Sequence, residues 1–271
     1  MAGLVTLLAC SHSHTLTNAA DVPGGGPVAA PATLHPATAT CTKGTPTTAS
    51  GYAAMFAGLP TSQWGAADTG LSVRVGGTNV WLWGDTISGV TSWSPYVGRF
   101  VHSSAITQTA GCAHVSHAGA QVLPNEAGGD WYWIESATAV DTAHLRITAQ
   151  RVHRTGPGAW DFAVVGERTA TASLVNGDVT FQSWTSVYVP PQHIVRKDGP
   201  YPPWSSTVSE ISNGKVLATG LPHTTEHFSY SPFVHPEIHL ASGKTLLSVA
   251  TNSTPLVSYA GYRPLWFEVT L

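Results

Sequence analysis

The sequence predicts an all-β protein, and three observations predict it. Apolar residues alternate with polar ones at a period of two, as where Leu71, Val73 and Val75 interleave with Ser72 and Arg74. Turn dipeptides punctuate these runs at Gly76-Gly77, Asn176-Gly177, Asn213-Gly214 and Ser242-Gly243. Glycine (27) and proline (19) are plentiful, and no segment sustains a helical period. Residues 51–271 therefore read as many short hairpins, which build a large sandwich, a barrel or a propeller. At roughly 40 to 50 residues per blade, this stretch holds about five blades, and a five-bladed β-propeller ranks above the sandwich.

The strands follow in order. Leu71 to Val75 turns through Gly76-Gly77-Thr78-Asn79 into Val80-Trp81-Leu82-Trp83. Trp131 to Ile134 leads to Leu145 to Val152. Phe162 to Val165 runs on to Leu174-Val175 and turns into Val179-Thr180-Phe181. Val208 to Ile211 pairs with Lys215 to Leu217, Glu237 to Leu240 with Thr245 to Val249, and the chain ends on Leu265 to Leu271. A C-terminal strand that completes a blade begun near the domain's start would secure a ring against free edges.

Composition excludes several classes. Only 10% of the 271 residues are charged and the net charge is −3, and no basic run is long enough to track a phosphate backbone, which argues against nucleic-acid binding. No apolar run approaches the roughly 20 residues that span a bilayer. No phosphate loop, dinucleotide fingerprint or Gly-x-Ser-x-Gly elbow is present. A hydrophobic fraction of 42% with 10 tryptophans supports a substantial core.

The N-terminus reads as an export segment over residues 1–10. The run Leu4 to Ala9 followed by Cys10 resembles a bacterial lipoprotein signal at its cleavage point, although the first basic residue is Lys43. Cys10 would then carry lipid and attach the protein to a membrane at the cell surface; an ordinary signal fragment would instead leave a secreted protein. Residues 11–50, rich in Ala, Thr, Pro, Gly and Ser, read as a flexible tether. Cys41 and Cys112 remain as one disulfide pair in an oxidising compartment.

Several segments together resemble a known family: Asp68-Thr69-Gly70, Val80 to Thr86, Leu123 to Glu126 with Trp131-Tyr132-Trp133, Leu145 to Arg151, Trp160-Asp161-Phe162, Asn252, and Tyr262-Arg263-Pro264. They are similar to five-bladed β-propellers of bacterial cell surfaces, once catalogued as a domain of unknown function, that include endo-D-arabinanase glycoside hydrolases. The aromatic-Gly-Asp-Thr segment is the most specific element of the likeness. The stretch Val187 to Ile211 departs from it, being shorter and richer in proline. The resemblance implies a hydrolase acting on cell-wall arabinan, with no cofactor.

Glycoside hydrolysis needs two carboxyl groups about the scissile bond. Asp85, just past an aromatic strand, and Asp68, just before the preceding strand, are the expected catalytic pair at one end of a hairpin. From local sequence an Asx turn explains Asp85 equally well, and it is the favoured reading of Asp68. His235, Glu237 and His239 share one face of a strand and are expected to line the channel and contact substrate. That row supplies too few ligands for a metal. Glu126 and Glu135 flank an aromatic strand, and with Trp83, Trp133, Arg151 and Asn252 they complete the expected substrate contacts. Aromatics and sparse charge suit a non-catalytic propeller lipoprotein that binds carbohydrate or an envelope protein equally well.

Overall fold

A computed structural model describes residues 39–42, 44–158, 161–185, 195–197, 208–210, 216–218, 227–253 and 255–271. Cys10, most of the tether, Trp160 and most of the stretch from Val187 to Ile211 lie outside the described residues.

The first elements are β1 (Thr40–Cys41), the helix α1 (Ala49–Ala57), β2 (Ala66–Ala67), β3 (Leu71–Val75), β4 (Thr78–Trp83), β5 (Thr86–Trp93), β6 (Tyr96–Val101), β7 (Ser104–Thr109) and β8 (Cys112–Val115). They are followed by β9 (Trp131–Ala139), β10 (His144–Arg154), β11 (Phe162–Val175), β12 (Asp178–Thr185), β13 (Val195–Lys197), β14 (Val208–Glu210), β15 (Val216–Ala218), β16 (His227–His239), β17 (Thr245–Ser253) and β18 (Leu265–Val269). Two-residue turns close the β3–β4 and β11–β12 hairpins at the expected dipeptides. Gly76 (φ 57°) leads the β3–β4 turn, and Asn176 and Gly177 (φ 53° and 87°) make the β11–β12 turn, which needs left-handed backbone at both positions.

Among the described residues the strands form five sheets: β1-β8-β7-β4-β3, β12-β11-β10-β9, β13-β14-β15, β16-β17-β18 and β2-β5-β6. The all-β expectation holds, but these are not five equivalent blades. The sheet β2-β5-β6 continues the same chains as the first sheet in the same register. Ala67 faces Thr86 before the break and Leu71 faces Leu82 after it. Likewise Thr86 faces Val101 on one side and Trp83 faces Ser104 on the other. One three-strand ribbon thus passes through two sheets. Nor, among the described residues, does the C-terminal strand close a ring. β18 pairs with β17, and its Glu268 accepts the Ala49 N–H of α1 at 3.1 Å, so a helix rather than a returning strand lies beside it.

That helix is a second departure, since the sequence reading placed the tether up to residue 50. Thr48 caps α1 by accepting the Gly51 N–H, and Tyr52, Met55 and Phe56 fall on one buried face. Its aromatic side chains, more than helix propensity, hold it: Phe56 packs edge-on to Trp81 and Trp83 at 5.0 and 5.2 Å and stacks on Trp266 at 5.1 Å.

The first sheet lies between two cores. Val80 and Leu82 of β4 pack with Tyr132, Ile134 and Ile147 of the second sheet. Trp81 and Trp83, on the opposite face, pack with α1, Ile238 and Leu246. β4 is therefore covered on both sides, and this corrects the reading of Trp83 as a substrate contact: it is fully buried. A disulfide joins Cys41 to Cys112, which face each other across β1 and β8 with Cα atoms 4.0 Å apart.

Candidate functional site

The site lies where the ribbon breaks between its two sheets. With the register unchanged on either side, Asp68 faces Asp85, and Asp85 in turn faces His102 on the third strand. The Asp68 N–H donates to the Asp85 carbonyl at 3.1 Å, and the Gly84 N–H donates to the Asp68 carbonyl at 3.0 Å. Beyond this point the ladder opens. Thr69 takes a left-handed backbone (φ 57°), a conformation costly for a β-branched residue and common at functional sites. Gly84 is required by contact: a Cβ there would lie 2.4 Å from Asp68 Oδ1 and 2.9 Å from Thr69 Oγ1. Gly70 likewise leaves room for the Trp83 ring, which a Cβ would meet at 2.4 Å.

The two carboxyl groups occupy unlike surroundings. Asp68 Oδ2 accepts the hydroxyls of Tyr230 at 2.9 Å and Tyr262 at 2.8 Å. Asp68 is half-buried by surface area, yet its carboxyl is sunk deeply enough for burial to be the largest influence on its pKa. Burial and then the neighbouring charge of Asp85 push that pKa up to about 7, against the pull of the two tyrosine hydroxyls. The tyrosine pKa values are themselves driven well above the usual 10 by burial and by the Asp68 charge, so both remain donors. Asp85 Oδ1 accepts the His102 Nδ1–H and the Trp133 Nε1–H, each at 2.8 Å. An ionised carboxylate only accepts, so the proton of the His102 bond sits on Nδ1. The Asp85 and His102 side chains keep 17% and 20% of their exposure, enough for a ligand to reach them.

Rings surround Asp85. His102 stacks on Trp131 at 4.6 Å and 18° and meets the exposed Phe100 edge-on at 5.1 Å. Trp133 meets Phe162 edge-on at 4.8 Å. Such faces suit the C–H surfaces of a sugar ring. The pair therefore supplies one carboxyl able to hold a proton near neutrality and one hydrogen-bond-accepting carboxylate beside an aromatic rim.

Of the other sequence candidates, Trp133 alone touches the pair. Glu126 accepts from the Tyr132 hydroxyl and from Arg168 at 2.6 Å, and these hold its pKa below the usual carboxylate range. Glu135 is the extra residue of a bulge, where Thr148 faces Ser136 and Ala149 faces Ile134. Burial, then the charge of Glu167, raises its pKa to about 7. Arg151 donates to Asp130 at 2.7 Å. Asn252 is half-buried on β17, opposite Phe228 in register.

The expected row on β16 is broken by a register slip between His235 and His239. His235 is fully buried, Glu237 half-buried and His239 exposed, so the three do not share one channel-facing surface. His235 instead sits against Trp81 and Trp266, with its Nδ1 at 2.5 Å from Ser72 Oγ, which also donates to Glu237. Among the described residues no group of three His, Cys, Asp or Glu side chains is arranged to hold a metal ion.

Sequence reasoning did not single out Tyr230, Tyr262, His102 or Gly84 for the site. His102 was hidden by an irregularity: the register at the Ser94-Pro95 turn, where Trp93 faces Tyr96, would set Ser104 opposite Asp85, and the shift between Ser88 and Ser92 brings His102 there instead. Tyr230 comes from a distant strand, and no local pattern announces it.

No protein-family profile and no curated protein sequence matches the chain. Among solved structures, the chain is similar to a candidate hydrolase from Bacteroides ovatus, with 13% identity and a TM-score of 0.48 over 80% of this chain and 88% of that one.

Proposed function

We propose that this protein is an exported glycoside hydrolase of the bacterial cell surface that cleaves an arabinofuranose-containing wall polysaccharide. The observation that carries the reading is the facing pair Asp68 and Asp85, two carboxyl groups in surroundings that separate their roles. Asp68, with a pKa raised to about 7, is the general acid. It gives its proton to the glycosidic oxygen as the bond from that oxygen to the anomeric carbon breaks. Asp85 serves the anomeric carbon, either as nucleophile or as the base that activates water, and His102 and Trp133 hold it in place. The oxocarbenium-like charge that develops lies against this carboxylate. The choice of arabinan rests on the likeness of the Trp-Gly-Asp-Thr and neighbouring segments, and attachment through a lipidated Cys10 on the first ten residues. The Cys41–Cys112 bridge suits an oxidising compartment outside the cytoplasm.

The test is release of new reducing ends from purified cell-wall arabinan. The parent protein releases oligosaccharides, and Asp68→Asn and Asp85→Asn each lower the rate at least ~1000-fold, with little change in melting temperature. Retention of the parent rate by both variants removes the assignment. A parent that binds arabinan but releases nothing is a binding module instead.

A further inference from the structure

A second cleft lies behind the aromatic rim. It has a volume of ≈ 500 Å³, within the range of ligand sites, and its wall includes Gly128, Gly129, Trp131, His153, Arg154 and Gly156. From this cleft and its link to the pair, we infer a remote subsite for another sugar residue of the same polysaccharide chain, whose occupancy is felt at Asp85. This inference rests on the hydrolase reading for its kinetic assay.

Four features build the subsite. Its wall is fixed: Asp130, only 6% exposed, accepts from Arg151 Nε and from His153 Nδ1, both at 2.7 Å. Its floor is open: a Cβ at Gly128 or Gly129 would meet nothing within 4 Å, so a ring can settle against the backbone there. Arg154 supplies free donors. Its guanidinium lies 5.5 Å from the Trp131 ring centroid and donates once, to the Gly158 carbonyl at 3.2 Å. Among the described residues it has no carboxylate partner, so its remaining N–H groups face ligand hydroxyls or water. Finally, Trp131 is shared. It lines this cleft and stacks on His102, which donates to Asp85.

A chain that fills both sites is gripped several bonds away from the scissile linkage, and this binding energy aligns the reacting unit. The experiment compares kcat/KM for long and short arabino-oligosaccharides in the parent, Arg154→Ala and Arg154→Lys. The parent favours long chains. Arg154→Ala lowers the long-to-short ratio about tenfold, the loss of one charge-assisted hydrogen bond, and Arg154→Lys restores part of it. A ratio unchanged in Arg154→Ala overturns the inference. If the parent cleaves no arabinan, the hydrolase reading fails separately. Calorimetric titration with the same oligosaccharides then decides the subsite: length-dependent affinity that Arg154→Ala removes supports it, and affinity independent of length overturns it.

Discussion

Gly84→Ala separates positioning of the acid from its chemistry, because the substitution touches neither carboxyl group covalently. The φ of Gly84 is not in the left-handed region, so alanine costs little in the backbone. The collision is local. The new methyl group would stand 2.4 Å from Asp68 Oδ1, while ordinary contact begins near 3.4 Å, so the carboxyl must retreat by about 1 Å. That retreat pulls Oδ2 from the hydroxyls of Tyr230 and Tyr262, now at 2.9 and 2.8 Å. Overpacking of this size costs about 1–3 kcal/mol of stability. A misplacement of about 1 Å costs about 100-fold in rate. The assay pairs chemical denaturation with initial rates on arabinan. The expected outcome is a folded protein, modestly destabilised, with a rate about 100-fold lower and an unchanged ability to bind substrate. A variant that keeps its rate within about threefold of the parent refutes the geometric argument.

Two further outcomes follow from the same geometry. Tyr230→Phe removes a hydroxyl that lowers the Asp68 pKa, so the pKa of the folded carboxyl rises from about 7. Activity that needs the protonated acid then persists to higher pH, and the alkaline limb of the pH–rate profile moves up. An unmoved limb denies Asp68 the acid's role. Glu135→Gln addresses stability. The folded pKa of Glu135, about 7, lies above its ordinary 4.5, so the parent loses stability as pH rises from about 4.5 to 7 and keeps the full loss above. The variant is therefore more stable than the parent at pH 8, by about 1–2 kcal/mol after allowance for partial exposure, and this advantage shrinks toward pH 4. Urea melts at the two pH values measure it, and an equal difference at both contradicts the argument.

Much of the fold was legible because hairpins announce themselves locally. The Gly76-Gly77 and Asn176-Gly177 turns and their flanking alternation set β3–β4 and β11–β12 as expected. The helix α1 was not legible: Tyr52, Met55 and Phe56 have the right spacing, but only burial against Trp81 and Trp266 makes nine residues hold a helix. The burial of Trp83 was hidden for a related reason. Alternation tells that two faces differ, not that both are covered. At the site, Asp68 and Asp85 were legible because they bound one hairpin. Tyr230 and Tyr262 were not, because they reach Asp68 from positions more than 160 residues away, and tertiary packing alone brings them there. The bulge that moves Glu135 and the register slip that separates His235 from His239 likewise leave no mark in strict alternation.

The central claim is that Asp68 holds a proton near neutral pH because it is buried beside the charge of Asp85. Carbon-13 NMR titration of the Asp68 carboxyl measures this with no substrate at all. In the parent, Asp68 titrates near 7, and in Asp85→Asn its midpoint falls, because one of the two influences that raise it is gone. A carboxyl that titrates near 4 in the parent, or one whose midpoint is unmoved by Asp85→Asn, contradicts the account.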